Sequence, residues 1–391
     1  MVHIVKSRPF GKAALFASPL LIFLAACAPT TMGPAVDRGE VTAEAAFQRK
    51  LYVEARVARA RRLANVTYPL MRGAADLCGR RVSYKIGVRS LTKSAAKGAL
   101  AEAMRTVLKL QDAPTIIAVA TGSPADRAGL RAGDVILSID DKRPVDNDES
   151  AQSLRRLIAN ARGAPIAVKF ARDGSENTVS VTPEKLCRYP VLLVDKQEVN
   201  AFADSKKIVV YTGLMRMAAT DAELGLVIAH ELAHNIMGHI DKKEANAATG
   251  AAVGLVFDVL GALAGVNTNG AFAKMGAQSG AGAFSKAFES EADYVGLYLT
   301  ARAKLDYKQA PAFWRRMATL APVKDKAGVA ATHPVTPERF VLLRKTIAEI
   351  DAKIAKGAPL TPNIRKTLGA EVYADTGAVR GSQSCSFQED C

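Results

Sequence analysis

The sequence predicts an α+β chain: a mainly helical domain with a small sheet at its edge, interrupted by an inserted, mainly-β module. Two stretches carry that expectation. Residues 221–236 set Leu224, Val227, Ile228 and Leu232 at helical spacing around His230-Glu231-Leu232-Ala233-His234, with Asp221 and Glu223 in the first turn. Residues 122–140 run instead as a turn, a short helix, a glycine turn and an apolar strand.

The N-terminus has cations at Lys6, Arg8 and Lys12 and then an apolar run, Ala13–Ala26. That run is too short to span a membrane and reads as an export signal over 1–26. It ends in Leu24-Ala25-Ala26-Cys27, which resembles the bacterial lipoprotein box and makes Cys27 the lipidated first residue; ordinary cleavage beside a coincidental cysteine is the alternative. Ala28 after that cysteine points to the outer membrane. The expected location is thus an outer-membrane lipoprotein facing the periplasm of a Gram-negative bacterium, with residues 27–46 as a tether. A basic, helix-like segment in 47–80 is expected to pack on the catalytic domain.

With Cys27 set aside, Cys78, Cys187, Cys385 and Cys391 remain, an even number that fits two disulfides in an exported chain. The simplest pairing is Cys78–Cys187 and Cys385–Cys391, although three connectivities are open. Cys78 and Cys187 flank the inserted module, so a bridge between them would staple its entry and exit. The formal charge of +15 favours anionic lipid headgroups or acidic partners. No nucleic-acid motif is present, and none is expected as a partner.

The chemistry centres on His230 and His234. Four residues apart on a helix, they share one face and can reach one cation, while Glu231 stands beside it to take a proton from water. The longer pattern with a third histidine fails, because Met237 and Ile240 occupy the glycine and histidine positions. His239 lies about 140° around a continuous helix and is excluded from the same metal shell; it is read as supporting a ligand or facing solvent. Further oxygen donors must come from downstream, and Glu289-Ser290-Glu291-Ala292-Asp293 is the obvious source.

Together with Thr332-His333-Pro334 and Arg339, these motifs resemble those of the M48 peptidases, over roughly residues 187–350. The resemblance implies a mainly helical zincin of the gluzincin type and one zinc ion per chain, held by His230, His234 and Glu289. Asp293 would orient a ligand histidine, and Glu291 ranks below Glu289 as a ligand. His333 has two readings: an extra ligand blocking the water position, or a catalytic donor to the oxyanion. Arg339 steadies Glu289 or Asp293, or contacts substrate. Asn200–Ala203 and Ile208–Leu214 look like the family's strand pair, and an extended substrate is expected to add alongside Ile208–Thr212.

The module over 81–186 resembles PDZ domains of the bacterial type. Gly122–Leu130 and Gly133–Asp140 carry the likeness, Ser150–Arg162 is its groove helix, and Ile166–Phe170 and Thr178–Val181 are its closing strands. Ile86, Gly87 and Val88 are the peptide-binding residues it implies, for capture of peptide C-termini; a spacer or lid is the competing use.

Ala247–Val266 is long enough to span a membrane, but Asp258 would stand near its centre at a cost of about 3 kcal/mol. A helical hairpin over the active site, running on through 267–282, is therefore expected. The catalytic domain is assigned to 187–357 and a C-terminal tail to 358–391. The expected activity is that of a zinc metalloendopeptidase acting on unfolded or misassembled envelope proteins. The competing readings are a gated or inactive zinc protein acting as a PDZ-mediated chaperone or adaptor, and a peptidase dedicated to one partner.

Overall fold

The computed structural model describes residues 31, 33–145, 149–263, 268–282, 285–320, 333 and 336–364. Cys27, Cys385, Cys391, Thr332 and Pro334 lie outside these residues, so the lipid anchor and the second disulfide are not addressed by the structure. Among the described residues, those up to Phe47 fall in one unit and those from Gln48 onward in another. Everything below belongs to the second, apart from the first turns of helix α1 (Arg38–Gly73), which begins upstream of the expected start at Phe47.

The last turns of α1 bury Leu63, Val66, Leu70 and Met71 in the larger of the hydrophobic cores. Helices α5 (Thr212–Met217), α6 (Asp221–Ile236), α9 (Ser285–Arg302), α10 (Ala310–Leu320) and α11 (Pro337–Ala355) supply most of the rest. Helix α6 starts where its sequence says it should. The Thr220 hydroxyl accepts from the Glu223 amide, and the Glu223 carboxylate reaches back to the Ala219 amide at 2.7 Å. Arg62 of α1 secures this entry by donating to the Met215, Ala218 and Thr220 carbonyls and to Asp221.

A three-stranded sheet flanks α6. Strand β10 (Ile208–Tyr211) lies between β8 (Val191–Val194), parallel to it, and β9 (Ala201–Ala203), antiparallel. The expected β9–β10 pair is present, but the expected substrate edge is corrected: β10 is paired on both sides and cannot accept a further strand. Among the described residues the open edges belong to β8 and β9, and Asn235 ties the β9–β10 turn to α6 through Ser205 and the Lys207 carbonyl.

The inserted module forms a five-stranded sheet in the order β2-β3-β4-β5-β6: Val88–Leu91, Thr115–Val119, Val135–Ile139, Ile166–Arg172 and Ser175–Val181. Short α3 (Pro124–Arg127), capped by Ser123, and α4 (Ser150–Asn160) cover its separate core, and α2 (Ala101–Leu108) lies between β2 and β3 in the chain. The segment around the expected peptide-binding residues Ile86, Gly87 and Val88 is split between two strands. β1 (Val82–Lys85) leaves the sheet to pair with β7 (Glu184–Cys187), and β2 starts only at Val88. Gly87 makes the corner at φ +88°, and a Cβ there would lie 2.2 Å from that of Ser123, so glycine is required. Ile86 is buried in the module's core, and the Ile86 and Gly87 carbonyls accept from the Ala125 and Ala120 amides. The β1–β7 ribbon closes the module, and beside it Cys78 and Cys187 are joined as expected, with Cα atoms 5.7 Å apart.

Helices α7 (His239–Leu263) and α8 (Ala271–Gly282) pack together as the expected hairpin. Asp258 is not a stranded charge: it accepts from the Thr268 hydroxyl and from the Phe272 and Ala273 amides at the start of α8. Val253, Leu255, Phe257 and Leu260 are exposed on α7, yet no helix among the described residues is long and apolar enough to cross a membrane.

Candidate metal centre

The site forms where α9 crosses α6. Close approach is possible because Gly296 faces the His230 backbone: a Cβ at 296 would sit 3.1 Å from the His230 nitrogen. Gly296→Val should therefore cost about 1–3 kcal/mol by overpacking and move the α9 carboxylates away from α6. A lower melting temperature together with zinc bound below one equivalent is the expected result.

At this crossing His230, His234, Glu289 and His333 converge, all buried, with one ligand atom from each lying within 4.8 Å of the others. Ligands at about 2.0–2.1 Å around a tetrahedral ion stand about 3.3 Å apart. The His230 and His234 Nε2 atoms are 3.1 Å apart, and Glu289 lies 3.3 Å from the first through Oε2 and 3.5 Å from the second through Oε1. His333 Nδ1 lies 3.2 Å from His230 Nε2 and 2.8 Å from Glu289 Oε2. Glu289 Oε1 is buried without a hydrogen-bond partner, an arrangement that a cation would satisfy. The donor set fits zinc.

His333 therefore stands as a fourth donor. Its other nitrogen, Nε2, lies 3.2 Å from Glu231 Oε1, so one imidazole spans the metal position and the base. Burial opposes charge on His333, but Glu231 and Glu289 outweigh it and lift its pKa to about 10. The cluster is built to hold positive charge, as a proton or as a metal ion. Burial, with His230 next to it, keeps His234 well below the ordinary histidine range. Burial also works against the ionised form of Glu289, but hydrogen bonds from His230 and His333 prevail and hold its carboxyl far below the usual range.

Asp293, one turn beyond Glu289, accepts from His230 Nδ1 at 3.1 Å. Arg339 grips Asp293 with two bonds, Nε to Oδ2 at 2.7 Å and Nη2 to Oδ1 at 2.8 Å, and donates to the His333 carbonyl at 3.1 Å. Of the roles open to Arg339, the structure shows the carboxylate clamp. Glu291 points away from the cluster and binds His239, which is fully buried behind His234. Trp314 of α10, the chain's one tryptophan, was not foreseen; its ring centre is 5.4 Å from that of His230, and the Arg339 guanidinium lies 5.7 Å from it.

Comparison with known proteins agrees with this geometry. Residues 177–347 match the model of peptidase family M48, and residues 115–172 match that of the PDZ domain. The mitochondrial metalloendopeptidase OMA1 of Arabidopsis thaliana is 35% identical over 165 residues, 40% of this chain and 31% of that protein. The beta-barrel assembly-enhancing protease of Yersinia pestis is 28% identical over 158 residues, 38% of this chain and 32% of that protein. The chain thus spans about a third of the length of each of these relatives. Among solved structures, the HtrA3 PDZ domain bound to a phage-derived ligand is 20% identical, covering 27% of this chain and 89% of that one, with a TM-score of 0.22. The crossing of α6 and α9 and the sheet ahead of them thus fall within the segment that matches peptidase family M48, and a segment matching the PDZ domain precedes it.

Proposed function

We propose that the protein hydrolyses internal peptide bonds of unfolded or misassembled cell-envelope polypeptides, using zinc, and that the PDZ domain holds peptide ends at the Ile86–Val88 corner. The observation that carries the reading is the buried His230–His234–Glu289 donor set with Glu231 beside it. The Cys78–Cys187 bond suits an oxidising compartment, and export with lipidation at Cys27 is part of the proposal.

Zinc, when bound by these residues, supplies Lewis acidity to the attacking water and to the scissile carbonyl. Glu231 accepts the water's proton on its carboxylate and returns it to the departing amine. Asp293 holds the His230 ring through Nδ1, and Arg339 holds Asp293. Substrate enters as an extended strand on an open edge of the sheet, β9 being the edge tied to α6 by Asn235.

His333 sets the resting state in this proposal. Lying against Glu231 and in the fourth donor place, it must swing out before substrate and water can enter. The His333→Ala protein should digest an unfolded polypeptide faster than wild type while keeping one zinc per chain, and removal of zinc by a chelator should abolish both activities. A zinc-loaded His333→Ala protein that binds unfolded chains without cutting them would instead establish the chaperone reading.

A further inference from the structure

The two ligand histidines are held from behind in different ways. His230 has a carboxylate directly on Nδ1, whereas His234 has another imidazole: its Nδ1 lies 2.9 Å from His239 Nδ1. His239 is fully buried, its ring stacks on Phe288 with centres 4.6 Å apart, and its Nε2 lies 2.7 Å from Glu291 Oε2. The chain reaches this place because α6 ends at Ile236 and Gly238, at φ +66°, turns it back so that His239 opens α7 behind His234. Of the two places the sequence left open for His239, supporting a ligand or facing solvent, the structure shows the first.

Two ring nitrogens at hydrogen-bond distance need one proton between them. His234 faces the donor cluster with Nε2, so a metal requires Nε2 bare and the proton on Nδ1. His239 Nδ1 must then be the acceptor, which places the His239 proton on Nε2, where Glu291 receives it. One assignment of protons satisfies all three groups.

We propose that His239 and Glu291 are positioning residues that fix His234 in the tautomer and orientation able to bind metal. Glu289, Glu291 and Asp293 then divide three tasks along one helix: Glu289 binds the ion, Asp293 aligns His230 directly, and Glu291 aligns His234 through His239. The inference rests on reading the cluster as the zinc site.

The test is zinc affinity of the full-length protein, measured by competition with a chromophoric chelator. Partners behind a ligand histidine are typically worth 10–100-fold in metal affinity. His239→Leu, which removes the acceptor, should weaken zinc binding by about that factor; His239→Asn, which offers an amide oxygen near the Nδ1 position, should recover most of it. Glu291→Ala, at a half-exposed side chain, serves as the second variant should His239→Leu fail to fold, and should also weaken binding. Tight zinc binding by wild type, lost in His234→Ala but unchanged in Glu291→Ala and His239→Leu, would overturn the relay and leave the metal site standing. A wild-type protein whose zinc binding is indifferent to His234→Ala would overturn both.

Discussion

Glu231→Gln should leave zinc bound at one per chain and reduce cleavage of an unfolded protein by at least about 100-fold, since a positioned general base contributes about 10²–10⁴. The geometry makes this substitution clean. Glu231 belongs to α6 between His230 and His234 but is not one of the four converging donors, and its buried Oε1 faces His333 Nε2 at 3.2 Å, a contact that an amide oxygen can keep. Glutamine keeps the volume and removes the basicity. Wild-type turnover lost in a zinc-replete Glu231→Gln protein would fix the proton acceptor. Equal turnover in the two would remove Glu231 from the reaction and return the base to another group.

The second large effect is expected at Arg339. Both oxygens of buried Asp293 are occupied by this guanidinium, and its third arm reaches the His333 carbonyl. Arg339→Met would leave the carboxylate buried with His230 as its remaining partner, and breaking one side of a buried pair costs about 3–5 kcal/mol. The melting temperature should fall on the order of 10 °C. Arg339→Lys should recover only part of the loss, because an ammonium cannot form the two-pronged contact. Coupling decides the interpretation: Arg339→Met with Asp293→Leu should be more stable than Arg339→Met alone, while zinc affinity stays low because His230 has lost its aligning carboxylate. Additive losses in the double variant would show that the pair acts independently.

The convergence of His230 and His234 was legible because helix geometry dictates their spacing, whereas Glu289 joined them only through the family resemblance. His230 and His234 share a face of α6, and Glu289 and Asp293 share one of α9. The hairpin of α7 and α8 was legible for a similar reason, since Asp258 was hard to reconcile with a lone span and instead caps a helix start. What escaped were relations set by tertiary placement. Strand β8 precedes β9 in the chain yet pairs with β10 in parallel, and nothing in the local pattern of Val191–Val194 announces which neighbour it takes. Trp314 reaches His230 from a helix some eighty residues downstream. For His239 the sequence left support of a ligand and exposure to solvent both open, because the choice depended on a helix stopping at Ile236, and a single left-handed glycine is a weak signal for such a stop.

The Cys78–Cys187 bond has a consequence for how the chain would respond to proteolysis. It spans 109 positions and makes the inserted module a covalently closed ring, joined covalently to the rest of the chain at the Cys78–Cys187 junction. A single cut anywhere within that ring opens it without freeing either end. The nicked molecule remains one particle, intact on a non-reducing gel and split only after reduction, so a cut there would not by itself separate the inserted module from the domain that carries the metal cluster.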